Sequence, residues 1–351
     1  MANLDKKSVK KRIIPSNKIY DWQKAKQQWR NFCEIEPTVP IYFKAWYWDA
    51  TCDDEDDWWV ILIDNKEGEI EAAFPFVYSK RKGLYFIENP WQVAAAGIWI
   101  RNKEDSLLKD LQNIDNVTES IFSKVPYYDK LNIVFDTRFV WTWHPLYWRG
   151  FLCTPTYTMK ISSLDNEDDK KSFTKRKRKE LNYTEKRVKV TFDEVSIDDY
   201  WNLFIKSYTS RGREPQYNKE KFVKLIDAAR QHNEVWICGI HDEEKLIAGN
   251  ICFNDSERVY NQFGCYDIDN KLRAEQYAVY SSLKRTVAEG KVFDFEGSMI
   301  SGVCEFNIGF SPEFETHYRI EKCSNKYILM DCMRRIFALI KSSIARKLGG
   351  V

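Results

Sequence analysis

The chain has 351 residues, of which 44% are hydrophobic and 30% charged. This length and composition predict one or two self-sufficient cores and exclude the disordered and collagen-like classes. The 54 Lys and Arg against 52 Asp and Glu give a formal charge of +2, so no global field favours DNA or an anionic surface. No apolar run reaches about 18 residues. The charged start also lacks the apolar stretch of a secretory signal, so we expect a cytoplasmic protein.

The cysteines and histidines show no metal-binding pattern. Nine Cys form no CxxC pair, and the four His lack ligand spacing. This pattern predicts reduced thiols and no metal site.

Tryptophan is concentrated in the first half of the chain, with eleven of the thirteen before residue 150. Trp46, Trp48, Trp58 and Trp59 are the densest group. They fit either a core of large aromatics or a cleft lined with rings for a flat or sugar-like ligand.

Hydrophobic periodicity predicts alternating helices and strands in the first half. We expect a helix over 19–36, strands over 58–63, 69–78 and 84–87, a helix over 107–125, and strands over 131–135 and 157–161. A turn over 65–68 joins the first two strands.

The second half shows a similar order of helices and strands more clearly. We expect a basic helix over 173–187, a strand over 188–195, helices over 198–210 and 218–232, and three strands over 235–240, 246–253 and 258–266. A helix over 274–289, a strand over 292–296, a short helix, a strand over 314–321 and a helix over 327–348 follow. Three strands with short turns form an antiparallel meander, and strand–helix–strand then requires a crossover. We therefore predict a mobile basic segment over 1–15, a first unit over 16–160, and a second over 161–351 that includes the C-terminal helix.

The order of elements resembles that of the GNAT N-acyltransferase fold. Particular segments extend the likeness: KRKRKELN at 175–182, FIKSYTSRG at 204–212, IAG at 247–249 and FDFEGS at 293–298, followed by Gly302, Phe306 and Gly309-Phe310. Together they are similar to FemAB-like acyltransferases over about residues 165–322. The resemblance implies an α/β (α+β) fold of two tandem GNAT-like mixed-sheet units with a cleft between them. It also implies transfer of an acyl group to a primary amine.

Donors in that family are acyl-CoA or aminoacyl-tRNA, and the acceptors include cell-wall precursors. The chain lacks the long heptad arm usual in the tRNA-dependent members, so we expect acyl-CoA as co-substrate. Two departures concern anion binding: Asn307 stands where many relatives have Lys, and 271–276 lacks the Gly-rich pyrophosphate loop. The alternatives are an aminoacyl-tRNA-dependent transferase of the peptidoglycan-precursor type and a non-catalytic module for a glycan or anionic polymer.

Two carboxylates are candidates for the base that deprotonates the attacking amine. Strand alternation predicts that Asp294 and Glu296 share one face, and a raised pKa would suit either to this role. A structural pair is the other interpretation. Gly297 and Ser298 allow a tight turn after them, with Ser298 placed at the substrate. Tyr266 and Tyr277 are candidate acids for the leaving thiol, and Tyr277 is also placed at the substrate.

Three groups of side chains remain. Arg211 and Arg213 form a fork for a carboxylate or phosphate, and the resemblance places their region beside the acceptor pocket; the other interpretation is a plain surface pair. Lys175, Arg176 and Arg178 of the basic helix, with Arg273, are candidates for donor phosphates, against a solvated helix face. Cys265 or Cys304 as nucleophile is the rival mechanism, but buried structural cysteine is expected.

Overall fold

The structure, a computed structural model, describes residues 20–52, 57–101, 106–215, 217–297 and 300–348 and has a mixed α/β fold. The helices in these residues are α1 (Trp22–Ile35), α2 (Ala45–Thr51), α3 (Leu107–Lys124), α4 (Trp143–Trp148), α5 (Lys175–Glu185), α6 (Ile197–Thr209), α7 (Lys219–Gln231), α8 (Ala274–Ala288), α9 (Ser301–Ile308) and α10 (Asn325–Leu348). The strands are β1 (Trp58–Asp64), β2 (Ile70–Arg81), β3 (Leu84–Glu88), β4 (Trp99–Ile100), β5 (Lys130–Val134), β6 (Leu152–Ile161), β7 (Lys189–Phe192), β8 (Val235–Asp242), β9 (Lys245–Asn254), β10 (Arg258–Tyr266), β11 (Val292–Asp294) and β12 (Glu313–Cys323). Short 3-10 helices lie at Ile41–Phe43 and Thr137–Thr142.

The chain divides into two compact units, each built from separate stretches of sequence. One unit consists of the described residues up to 29, 52–155 and 318–348, and the other of 30–51 and 156–317. The domain limits 16–160 and 161–351 stay a prediction of the sequence, and the segment 1–15 lies outside the described residues.

The first unit is built on an antiparallel hairpin extended by further strands. β1 and β2 pair with Trp58 opposite Val77, as the turn over 65–68 predicted. The Asn65 side chain accepts hydrogen bonds from the backbone of Glu67 and Glu69, which fixes that turn. β3 then pairs antiparallel with β2 and parallel with β5, while β5 pairs antiparallel with residues 319–323 of β12. Helix α3 covers β1 with its apolar face.

The second unit contains the predicted meander and crossover. β7, β8, β9 and β10 pair antiparallel in chain order. Helix α8 then returns the chain so that β11 pairs parallel with β10 and antiparallel with β6. The α8 face toward the sheet is buried, including Ala278 and Leu283. This crossover determines where the candidate site lies.

The tryptophan group belongs to the cores and not to a ligand cleft. Trp48 and Trp58 are fully buried and Trp59 is almost so, while Trp46 stacks on His232 with ring centroids 4.9 Å apart. The group is also divided, since Trp46 and Trp48 lie in the second unit and Trp58 and Trp59 in the first. The ring-lined cleft is therefore wrong for these four residues, because neighbouring elements cover both faces of the short segments that carry them.

Candidate active site

A split in the sheet of the second unit marks the candidate active site. β11 pairs with β10 only from Arg258 to Tyr260, and β10 then continues to Tyr266. Within the described residues no strand pairs with that last part of β10 on the β11 side. This edge of β10 can therefore accept an added strand, although the Tyr266 N–H already donates to the Ser207 hydroxyl. The site lies at the carboxyl ends of two parallel strands, where ligands of α/β sheets commonly bind.

Asp294, the last residue of β11, is a fully bonded buried carboxylate. One oxygen accepts hydrogen bonds from the Thr158 hydroxyl and from the Glu296 backbone N–H. The other lies 2.8 Å from the Arg258 guanidinium. The same guanidinium binds Glu315, also at 2.8 Å. This arrangement favours the structural interpretation of Asp294, because both carboxylate oxygens are already engaged in holding β6, β10 and the Glu296 turn together.

Glu296 has the opposite surroundings. Its side chain is half-buried, and its Oε1 is shielded from solvent with no hydrogen-bond partner among the described residues. Burial raises its pKa from 4.5 to about 8. The prediction that Asp294 and Glu296 share a strand face is wrong, because β11 ends at Asp294 and Glu296 adopts a left-handed conformation with φ of 61°.

Gly297 holds this turn against β6. Its φ is 55°, and a Cβ there would lie 2.4 Å from the Tyr157 carbonyl oxygen. Only glycine fits so close an approach in this conformation. Two successive left-handed residues thus direct the Glu296 side chain, and such geometry is often found at functional sites. Ser298 lies outside the described residues.

Next to this turn, Phe295 begins an aromatic cluster with Phe306 and Phe310, and this cluster contains a buried lysine, Lys177. The Phe295 ring packs 5.7 Å from that of Phe310, and Lys177 Nζ lies 4.3 Å from the Phe310 centroid and 4.0 Å from that of Phe306. Burial lowers the pKa of Lys177 to about 8, opposed by the charges of Glu180 and Glu275. A cation therefore lies beside Phe306 although residue 307 is Asn.

Sequence reasoning did not single out Lys177 from the basic run. A signal was nevertheless present: Thr174 caps α5 by accepting a hydrogen bond from the backbone of Lys177. Lys177, Leu181 and Thr184 then follow at helical spacing, and all three are buried.

The predicted phosphate-binding residues belong to two elements, since Arg273 precedes α8 and the other three lie in the first turns of α5. Arg273 has a φ of 57°, is exposed, and provides no side-chain cap to α8. In α5, Lys175 and Arg176 are exposed and Arg178 is half-buried. Arg176 is paired with Glu180 at 3.1 Å. Burial raises the pKa of Glu275, in the first turn of α8.

Arg211 and Tyr266 are in contact. The Arg211 guanidinium lies 4.6 Å from the Tyr266 ring centroid and donates a hydrogen bond of 2.6 Å to the Ser207 hydroxyl. This places a cation at the carboxyl end of β10. Arg213 is exposed two residues further on.

Tyr277 lies elsewhere, between α8 and α5. Its hydroxyl donates a long hydrogen bond of 3.4 Å to Glu185, which also pairs with Lys170. Burial raises the pKa of Tyr277 to about 12. The structure does not bring Tyr277 to Arg211 and Tyr266.

A polar pocket of about 460 Å³ lies beside α6, with Ser196, Asn202, His241 and Asp267 among its lining residues. Lys206 and Lys245 both donate to the buried Asp267. The Lys206 hydrogen bond first, and then that of Lys245, lower the pKa of Asp267 to about 2. Since Asp267 follows Tyr266 directly, this pocket adjoins the end of β10.

Cys265, near the split, is poorly suited to nucleophilic catalysis. Cys265 is buried, and burial raises its pKa to about 12, so its thiolate is scarce at neutral pH. The Cys304 sulfur lies 3.7 Å from the Tyr157 hydroxyl. In the parts of the chain that the structure describes, no group of His, Cys, Asp or Glu is placed to hold a metal ion, and no helix there is long and apolar enough to span a bilayer.

Comparison with known proteins supports the fold in two ways. Residues 169–298 match the family model described as an acetyltransferase (GNAT) domain. Among solved structures, FemX is similar with a TM-score of 0.60 and 12% identity, covering 84% of this chain and 95% of that one. L-PGS from Bacillus licheniformis follows with a TM-score of 0.53 and 11% identity, covering 88% of this chain and 95% of that one.

A third similar structure is the C-terminal domain (DUF2156) of a putative lysylphosphatidylglycerol synthetase from Agrobacterium fabrum. Its TM-score is 0.51 at 8% identity, covering 89% of this chain and 96% of that one. No curated protein matches the sequence. The predicted GNAT and FemAB-like resemblance and the tandem α/β fold are confirmed, and the chain has a GNAT-type acyltransferase fold.

Proposed function

We propose that this protein is an N-acyltransferase that moves an acyl group from acyl-CoA to a primary amine, with Glu296 as the base. The observation that carries the proposal is the shielded, unpartnered Oε1 of Glu296 at the split in the sheet. A carboxyl group with a pKa of about 8 accepts a proton effectively near neutral pH. Glu296 also lies within the matched GNAT domain.

The reaction needs few protein groups. The amine nitrogen attacks the thioester carbonyl, the new C–N bond forms, and the C–S bond breaks to release CoA as a thiol. Glu296 accepts the proton that the amine loses, and that proton returns through solvent to the departing sulfur. Positioning and a hydrogen-bond donor for the developing oxyanion supply most of the remaining acceleration, and the open backbone edge of β10 offers N–H groups for the oxyanion.

The donor is proposed to lie along that edge with its phosphates toward α8. The amides of an extended pantetheine arm pair with backbone groups in the manner of an added strand. The positive end of the α8 dipole and the Arg273 side chain attract the phosphates. Lys177 supplies a further positive charge from within the aromatic cluster.

The acceptor is proposed to bind beside Arg211. Its guanidinium is oriented by Ser207 and by the Tyr266 ring, so it presents a pre-organised fork to a carboxylate or phosphate. Tyr266, which contacts Arg211, is the proposed acid that relays the proton lost by the amine from solvent to the departing thiolate. This places donor and acceptor at the two parallel strand ends.

A thermal-shift titration with CoA and acetyl-CoA tests the donor. A ligand at about 100 times its Kd stabilises a protein by about 2.7 kcal/mol, which raises Tm by a few degrees for a chain of this size. We expect a saturable shift that Lys177→Met reduces. Lys66→Met, which removes an exposed lysine in the β1–β2 turn, is the matched control. No shift with either ligand would refute the acyl-CoA donor.

Aminoacyl-tRNA is the second candidate donor, favoured by the similarity to FemX and by the FemAB-like sequence segments. The described residues of the second unit offer no long helical arm, since their longest helix, α8, has 15 residues. A shift with charged tRNA, absent with uncharged tRNA and with CoA, would establish this donor. The absence of a thermal shift with all these ligands would favour the non-catalytic binding module. The burial of the four tryptophans, however, removes the exposed rings that were expected to bind its ligand.

A further inference from the structure

The C-terminal helix α10 turns its apolar face away from the protein. In residues 325–340 only Tyr327 and Asp331 are half-buried, and every other side chain is exposed. Phe337 is 70% exposed and Leu329 is 61% exposed. A helix packed on its own domain normally shows the reverse arrangement.

Helical spacing separates the two faces of α10. Leu329, Met333, Ile336 and Ile340 follow at intervals of four, three and four residues, which makes a continuous exposed apolar stripe. Tyr327, Asp331 and Arg334 lie on the other side. The Tyr327 ring lies 6.1 Å from that of Phe86, and the Lys130 ammonium is 5.1 Å from the Tyr327 centroid. The first turns of α10 thus anchor the helix and leave the stripe without a packing partner among the described residues.

The charge of α10 is strongly positive although that of the whole chain is nearly balanced. The helix contains six Lys or Arg against one acidic residue, Asp331. Arg334 and Arg335 both pair with that single carboxylate, at 2.6 and 2.7 Å, and both remain mostly exposed. The apolar stripe is therefore accompanied on α10 by two mostly exposed cations, Arg334 and Arg335, that share one carboxylate, as in helices that lie in a membrane interface.

A pocket beside the first turns of α10 also combines positive charge with apolar side chains. It has a volume of about 610 Å³ and is lined by Arg81, Lys82, Lys130 and Arg334 together with apolar side chains such as Phe86 and Met330. Glu88 and Asp331 offset part of the charge; Arg81 donates to Glu88 at 2.7 Å. The Arg81 Nε is nevertheless shielded and has no hydrogen-bond partner among the described residues. A phosphate with an attached apolar chain would complete this pocket.

We propose that α10 and this pocket form a docking surface for an anionic phospholipid bilayer. The apolar stripe would enter the headgroup boundary, the bordering arginines would meet lipid phosphates, and one headgroup would occupy the pocket. Charge selects this occupant over a second copy of the chain. Pairing two such helices would bring like charges together, whereas an anionic bilayer neutralises them.

Co-sedimentation with vesicles tests the proposal without reference to catalysis. We expect the protein to bind vesicles of phosphatidylglycerol and phosphatidylcholine in equal parts, and to bind phosphatidylcholine vesicles much less. High salt should weaken the binding, because it screens the attraction between the helix and the lipids. Inorganic phosphate at matched ionic strength should not compete. Displacement by phosphate would overturn the proposal, since the pocket would then serve a soluble anion.

Two variants identify the surface. Replacing Leu329, Ile336 and Phe337 together by Ser should reduce binding about tenfold or more, since each apolar side chain adds to interfacial affinity. Arg335→Gln keeps the stripe and should reduce binding about fivefold. Ile35→Ser, which replaces an exposed residue at the end of α1, is the matched control and should bind as the parent does.

Three outcomes would contradict bilayer docking by α10. Failure of the parent to bind anionic vesicles would overturn the proposal, as would unchanged binding by the triple variant and by Arg335→Gln. A parent dimer that the triple variant converts to monomer, without vesicle binding, would assign the stripe to a second copy.

Discussion

Replacing Glu296 by Gln tests the central feature of the proposed site. The substitution keeps the size and shape of the side chain and removes only its titration. In the folded protein burial raises the pKa of this carboxyl group from 4.5 to about 8. The unfolded chain releases the same proton near 4.5.

The sign of the pH dependence follows from that difference. Between pH values of about 4.5 and 8 the folded state holds a proton that the unfolded state has released, so the free energy of unfolding falls as pH rises. Ionisation of Glu296 lowers the free energy of unfolding by its full amount only above the pKa of the folded state. Below the pKa of the unfolded state it has no effect. The difference between the folded and unfolded pKa values corresponds to a change in the free energy of unfolding on the order of 5 kcal/mol.

Urea denaturation at a series of pH values measures this effect. Glu296→Gln should have nearly the same unfolding free energy as the parent at about pH 5 and become progressively more stable than the parent toward about pH 9. Glu305→Gln, which changes an exposed glutamate of α9, should follow the parent throughout. Parallel curves for the parent and Glu296→Gln would refute the raised pKa, whatever the activity.

Activity gives the second readout for the same variant. Loss of a general base lowers the rate about 10² to 10⁴-fold, and the parent rate should rise with pH up to about 8 while the residual rate of the variant does not follow that titration. An unchanged rate and pH profile would show that Glu296 is not the base.

The remaining predictions separate structural residues from functional ones. Asp294→Asn should destabilise the protein by about 1 to 3 kcal/mol, since Arg258 keeps Glu315 but loses the Asp294 carboxylate; denaturation at neutral pH measures this, and a change below about 0.5 kcal/mol contradicts the structural interpretation. Gly297→Ala should cost more than about 1 kcal/mol, because the new Cβ meets the Tyr157 carbonyl; unaltered Tm would show that the turn relaxes freely. Arg211→Ala should raise the KM for the amine acceptor and leave the CoA-dependent thermal shift intact; loss of the CoA shift would move Arg211 to the donor side.

Most secondary structure of the second unit could be predicted because its patterns are strong and local. The helix over 198–210 carries Tyr200, Leu203 and Phe204 on one face, and α6 occupies Ile197–Thr209. The three-strand meander likewise follows from short polar turns between β-rich runs. Periodicity and turn residues depend on near neighbours, so one sequence is sufficient to find them.

Helix α2 was missed because its sequence, AWYWDAT, has no amphipathic pattern. All but one of its residues are buried, so there is no polar face to set the period. The four-tryptophan group was ambiguous for a related reason: large aromatics suit both a core and a ligand cleft, and only the packing of distant segments decides between them.

The site residues illustrate a different limit. Alternation placed Asp294 and Glu296 on one face because it assumes that a strand continues, and no local signal marks the end of β11 after three residues. Arg258, which binds Asp294, is 36 residues away in sequence. The burial of Lys177 depends on Phe306 and Phe310, which are similarly remote. The sequence analysis named side chains of suitable chemical types for the site. Contacts between segments that are distant in sequence determine which of those side chains have bonded partners.

The turn at Glu296 and Gly297 has a consequence for turnover. The Glu296 side chain is aimed by its backbone and by the close fit of Gly297 against β6, and its Oε1 has no hydrogen-bond partner among the residues that the structure describes. A base held by such bonds must break or reorganise them each time it gains or loses a proton. For the base proposed above, the backbone supports carry no bond that a change of protonation would break, so turnover requires no rearrangement of them.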